Sequence, residues 1–188
     1  VVLEESGFPS GRVIGSGTVL DTARLKYVLG RHLQVDARNV HAFVIGEHGD
    51  SELAVWSSAN ISGIDLNAFC SVCGKCSGME NMYKAFEDVR NAAYRIIERK
   101  GATYYAIAQS VKRIAESIVR DEDSVLTVST LCTGHYGLDG VCIGVPSIIG
   151  REGVKKVLDI PLSKEESEKL RSSANNLKIA AKQLAGRV

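Results

Sequence analysis

The sequence has almost no net charge: its 188 residues include 23 Lys and Arg against 22 Asp and Glu. No global field therefore recruits nucleic acid or an anionic membrane, and any anion that binds must bind locally. There is no apolar run long enough to span a bilayer and no secretory leader, so no membrane partner is expected and the cytoplasm is the expected compartment. The five cysteines are few and odd in number, which speaks against a secreted disulfide framework and for reduced thiols. Methionine is scarcer still; Met79 and Met82 are the only two and the chain opens on Val1, so it reads as a fragment. A third glycine is also missing after Gly15-Ser16-Gly17, where position 20 is Leu20, so the dinucleotide-binding fingerprint is absent. The chain shows neither an internal repeat nor a low-complexity linker.

What is present is a packed globular composition, 45% hydrophobic, long enough for one domain over residues 1–188. Thr18 is placed to cap a helix running to about Leu33. Residues 39–46 are rich in β-branched and aromatic types and predict a strand; residues 52–58 predict another. Met82, Phe86, Val89, Ala93 and Ile96, then Ile107, Val111, Ile114 and Ile118, give two core-facing helical stripes broken at Gly101. Ser124 to Thr133 and Val141 to Ile149 predict an antiparallel pair, with Pro146 marking a free edge. A short strand over Val154 to Ile160 follows. Ser163-Lys-Glu-Glu166 is a capping box opening a helix striped by Leu170, Ala174, Leu177, Ala181 and Leu184. Helices mixed with antiparallel strands, without strict alternation, predict an α+β fold with no Rossmann domain in this chain.

The segment Ile45-Gly-Glu-His-Gly-Asp-Ser-Glu-Leu-Ala-Val-Trp56 frames His48 with glycines and carboxylates on a connection between strands. Asp21 and Arg24 stand three apart on the first helix and share a face. Taken singly, His48 reads equally as a loop histidine satisfied by backbone, and Asp21 with Arg24 reads first as a solvated helical ion pair. Together they are the parts for moving a proton while gripping a carboxylate: the aspartate orients the imidazole, and the guanidinium offers a two-pronged donor. Cys70, Cys73 and Cys76 offer three soft ligands, but zinc wants four, so a reduced cysteine-rich loop and no metal are expected.

At this point the residues resemble a family. Gly15-Ser-Gly-Thr-Val-Leu-Asp-Thr-Ala-Arg24, the His48 segment and Glu98-Arg-Lys-Gly-Ala-Thr-Tyr-Tyr105 closely resemble three signature segments of bacterial NAD-dependent L-lactate dehydrogenases, within the C-terminal, substrate-binding half. The resemblance implies that family's C-terminal fold, with long helices packed on mostly antiparallel sheets, and the reduction of pyruvate to L-lactate with NAD as cofactor. It makes His48 the proton donor and acceptor, Asp21 its orienting partner and Arg24 the clamp on the substrate carboxylate. Thr103 would border the substrate; Ser16 and Ile107 would flank the nicotinamide. Ile107 reads equally as core, and Thr103 as a helix cap. The resemblance further implies a homotetramer and an effector, fructose 1,6-bisphosphate, bound between subunits by Lys26 and His41. Ala54 stands where the family often has proline, and Leu25-Lys26 where it often has Phe-Arg. Activity needs the half that carries the nucleotide site and a mobile loop, so the isolated domain is expected to be inactive. Two other readings stay open: a malate or branched 2-hydroxyacid dehydrogenase of the same superfamily, and a stand-alone interaction module.

Overall fold

The computed structural model describes residues 1–74 and 79–185. In chain order the elements are α1 (Val2–Ser6), α2 (Val19–Leu33), β1 (Val40–His41), β2 (Val44–Ile45), β3 (Leu53–Ala54), β4 (Asn60–Ile61), β5 (Ile64–Asp65), α3 (Leu66–Cys73), α4 (Met79–Arg90), α5 (Ala92–Lys100), α6 (Tyr105–Val119), β6 (Ser124–Thr133), β7 (Asp139–Gly150), β8 (Gly153–Val157) and α7 (Lys164–Ala185). The strands form three antiparallel sheets, ordered β1-β4-β5, β2-β3 and β6-β7-β8, as the α+β reading expects.

Three apolar clusters lock these elements together. Leu25, Leu29 and Leu33 on α2 meet Met82, Phe86 and Val89 on α4. Ile143 and Val145 on β7, Leu170 and Ala174 on α7, and Ile45 and Leu53 of the β2–β3 ribbon share the second. Val19 on α2, Ile114 on α6 and Val128 and Ile149 of the large sheet form the third. α2 is therefore shared by two clusters, which fixes the helix that carries Asp21 and Arg24.

The ribbon β2–β3 is stitched to the large sheet at one point, where Gly46 and Gly144 exchange backbone hydrogen bonds of 2.9 and 3.0 Å. Only glycine fits this crossing. Gly46 has φ +103°, and a Cβ on Gly144 would lie 2.8 Å from the Thr18 hydroxyl and 2.9 Å from the Gly46 carbonyl. The stitch sits one residue before Glu47 and two before His48, so it sets where the His48 loop leaves the sheet.

Several expectations need correction. Thr18 occupies the N-cap position, but its hydroxyl makes no cap and instead donates to the Val44 carbonyl at 2.6 Å. The strand expected over residues 39–46 is split, because Val40–His41 pairs with β4 while Val44–Ile45 pairs with β3 in a different sheet. The strands expected over 52–58 and 154–160 shrink to Leu53–Ala54 and Gly153–Val157. The helix through Ile96 breaks at Asn91, where the Arg95 guanidinium donates to the Asp88 carbonyl at 2.6 Å and the Asn91 side-chain amide joins its own backbone N–H on the Glu87 carbonyl. Val111 is 52% exposed; Ser110 and Ser117 are buried beside that stripe, and Ser117 donates to the Ile149 carbonyl at 2.9 Å. Ala181 and Leu184 are exposed, so the α7 stripe packs only as far as the half-buried Leu177. Pro146 lies on the middle strand, not on an edge. It is tolerated because β8 pairing ends opposite Ser147, and its carbonyl accepts from Leu158 at 2.8 Å. The capping box is present with both hydrogen bonds, Ser163 N to Glu166 Oε2 at 2.7 Å and Glu166 N to Ser163 Oγ at 3.1 Å. Cys76 lies outside the described residues.

Candidate active site

Asp21 projects from the first turn of α2 into the interior, its side chain 3% exposed, and meets His48 from the β2–β3 connection. His48 Nδ1 lies 2.7 Å from Asp21 Oδ2, which leaves Nε2 on the ring's other side. One turn along α2, Arg24 Nη1 is 3.5 Å from Asp21 Oδ1. The guanidinium side chain is only 16% exposed, and its Nη2 is buried with no hydrogen-bond partner. A buried, unpaired guanidinium nitrogen is costly unless an anion completes it. The geometry thus offers a proton-transfer group beside a vacant two-pronged cation.

The cluster has a member that sequence reasoning missed. Glu52, 2% exposed at its side chain, places Oε2 3.9 Å from His48 Nδ1. Its spacing of four from His48 was the available signal. Hydrogen bonding to Asp21 and then to Glu52 outweighs the burial of the ring and pushes the His48 pKa up to about 10. Burial, and next the neighbouring Asp21 carboxylate, push Glu52 up against the opposing pull of His48. Asp21, His48 and Glu52 bring one ligand atom each within 4.8 Å of one another, the only such group found among the described residues.

The loop is held from other elements too. The fully buried Ser173 on α7 accepts from Glu47 N at 2.8 Å and lies 3.1 Å from the Ser51 hydroxyl, which donates in turn to the Glu47 carboxylate. A Cβ on Gly46 would approach Ser173 Oγ to 2.9 Å, so the grip requires glycine. From α5, Tyr94 donates to Asp50 at 2.9 Å, and from α4 Arg90 reaches the Asp50 carbonyl at 3.5 Å. A cleft of about 670 Å³ lies behind the loop, lined by Glu52, Trp56, Tyr83, Phe86, Glu166 and others but by none of Asp21, Arg24 and His48. We place the chemistry at the His48 cluster, because that is where orphaned charged groups converge.

The family model for the lactate/malate dehydrogenase alpha/beta C-terminal domain matches residues 18–187. The chain belongs to this family. It is 54% identical over 184 residues to an L-lactate dehydrogenase of Acetivibrio thermocellus, covering 98% of this chain and 58% of that protein. It is 56% identical over 174 residues to L-lactate dehydrogenase 1 of Clostridium acetobutylicum, covering 92% of this chain and 55% of that one. The solved L-lactate dehydrogenase from Clostridium thermocellum superposes with a TM-score of 0.87 at 42% identity, covering 97% of this chain and 59% of that one. The ligand-bound minor L-lactate dehydrogenase from Enterococcus mundtii gives 0.89 at 38%, covering 94% and 56%. The chain thus spans somewhat more than half the length of the relatives it matches.

In this lactate/malate dehydrogenase domain the remaining expected site residues are more dispersed. Thr103 and Ser16 are half-buried, and among the described residues neither side chain hydrogen-bonds to the His48 cluster. Thr103 is not a cap, since α6 begins at Tyr105 with Tyr104 at its N-cap. Ile107 is half-buried and belongs to none of the three apolar clusters, so the core reading does not account for it. Lys26 is half-buried, its pKa lowered by burial, with its ammonium 5.9 Å from the centre of the Phe43 ring. His41 is exposed at the end of β1, two residues before Phe43.

Proposed function

We propose that this chain is the substrate-binding half of an NAD-dependent L-lactate dehydrogenase that reduces pyruvate, with His48 as proton donor. The observation that carries the reading is the buried, unpartnered Nη2 of Arg24 beside a histidine whose Nδ1 is already engaged by Asp21. The Arg24 fork takes the substrate carboxylate. This sets the carbonyl oxygen toward His48 Nε2, and the imidazolium gives up its proton there, so that no full alkoxide need form. Asp21 holds the ring's orientation and stabilises its cation. In the reverse direction neutral His48 takes the hydroxyl proton.

NADH would supply the hydride to the carbonyl carbon. Residues here suit only the nicotinamide end, with Ser16 near the carboxamide and Ile107 as an apolar cover, and Thr103 bordering the substrate. Gly15-Ser16-Gly17 cannot cradle phosphates. A Cβ on Gly17 would lie 2.4 Å from Ser129 N and 2.6 Å from the Thr127 carbonyl, so this glycine serves close packing on β6. The phosphates need a second segment, and the isolated chain is expected to be inactive.

The same reading gives a cytoplasmic homotetramer with fructose 1,6-bisphosphate bridging Lys26 and His41 of two subunits. Lys26 has no ion-pair partner among the described residues, and no described helix is long and apolar enough to cross a membrane. The test joins this chain to a nucleotide-binding half and follows NADH oxidation. Pyruvate should be preferred over oxaloacetate, and Arg24→Lys, which loses the fork, should raise KM for pyruvate at least tenfold. Preference for oxaloacetate would make it a malate dehydrogenase; an unchanged KM would remove Arg24 from the site.

A further inference from the structure

The His48 cluster holds one more carboxyl group than a single imidazole can serve. Asp21 has the ring, at 2.7 Å against 3.9 Å for Glu52. Of the two carboxyl groups, Glu52 has a buried oxygen, Oε1, with no hydrogen-bond partner among the described residues. Among the described residues no Lys or Arg nitrogen forms an ion pair with Glu52, whose one charged contact is His48. Arg24 reaches Asp21 through Nη1 at 3.5 Å, and its open Nη2 is the donor left for a substrate carboxylate. In the cleft that Glu52 shares with α4 and α7, Arg90 is paired with Glu87 at 2.6 Å and Lys169 with Glu165 at 2.6 Å, while Glu166 is taken up by backbone donors. Two bare carboxylates within 4.8 Å of each other at such burial repel strongly.

We propose that Glu52 is a carboxylic acid at neutral pH and donates its proton to the Asp21 carboxylate, so that one proton serves both acids. Glu52 is then a positioning residue that acts on His48 through Asp21, and the inference rests on reading His48 as the proton donor. The proton matters for the chemistry. Two charged carboxylates together hold the imidazolium to about 10, which makes it a reluctant acid near pH 7. A neutral Glu52 removes one of them, leaving the Asp21 contact to orient the ring while the proton is easier to give up.

The test has two readouts. Infrared difference spectra of this chain at pH 7 should show the C=O stretch of a protonated carboxyl that is missing in Glu52→Gln. In the enzyme carrying the nucleotide-binding half, Glu52→Gln mimics the neutral acid and should leave the alkaline limb of pyruvate reduction in place. If Glu52 were charged, its loss from 3.9 Å would lower that limb by roughly three pH units, taking an effective dielectric constant of about 20. Such a drop, or no protonated band in the wild type, overturns the proposal. If Glu52→Gln does not fold, the wild-type spectrum decides alone. Failure of the His48 reading would show separately, as undiminished turnover in His48→Gln, and would leave the infrared band untouched.

Discussion

Replacing Glu166 by alanine should destabilise the fold where the His48 ribbon meets α7. The Glu166 carboxylate is buried, and its Oε1 accepts from Trp56 N at 2.7 Å and Ser57 N at 3.0 Å, while Oε2 accepts from the Ser57 hydroxyl and from Ser163 N at 2.7 Å. Alanine leaves three backbone N–H groups without that acceptor. Hydrogen bonds to a charged group contribute about 1.5–3 kcal/mol each, but they are not additive here and water can reach some of the donors, so the expected loss is about 3 kcal/mol. Trp56 is the only tryptophan and lies at the perturbed point, so urea unfolding followed by its fluorescence is the assay. The pH dependence checks the cause. Burial raises the Glu166 pKa, yet the hydrogen bonds from Ser57, Ser163 and Trp56 outweigh it and leave the carboxyl below its ordinary value. A group depressed on folding stabilises above its unfolded pKa and loses that contribution as pH falls through the folded one. The gap between wild type and Glu166→Ala should therefore be full at pH 7 and shrink below about pH 4. A loss under about 1 kcal/mol, or a gap that stays constant into acid, would refute the reasoning.

Three further outcomes are expected. Met82→Ala, at a fully buried site between α2 and α4, should cost about 2–5 kcal/mol in the same urea assay. Calorimetry of this chain with NADH should show weak binding or none; tight one-to-one binding would mean that the phosphates are held somewhere other than a second segment. In the enzyme with its nucleotide-binding half, fructose 1,6-bisphosphate should activate and favour the tetramer. Lys26→Ala with His41→Ala should abolish that response, and an unchanged response would reject the site.

Where one short segment decides the outcome, the sequence was readable. The capping box Ser163–Glu166, the β6–β7 pair and α2 each follow from a local pattern, and each is found as expected. Asp21, Arg24 and His48 were legible because helical spacing put the first two on one face and glycines isolated the third. What stayed hidden depends on partners distant in sequence. Residues 40–45 look like one strand, yet their partners, β4 and β3, lie in different sheets. Val111 fits its stripe by period alone, which cannot say that nothing covers that part of α6. Ser173 lies 126 residues from Glu47, so no local pattern marks it as the clasp on the His48 loop. Glu52 looked like one more loop charge until burial and the 3.9 Å approach to His48 set it apart.

Turnover of His48→Gln in the enzyme that joins this chain to its nucleotide-binding half tests the central claim most directly. Glutamine keeps a polar side chain facing Asp21 but cannot deliver a proton. With Arg24 intact, KM for pyruvate should change little while kcat falls by about 10²–10⁴-fold, the usual contribution of general acid–base transfer. A kcat near that of the wild type would contradict the account and remove His48 from the proton's path.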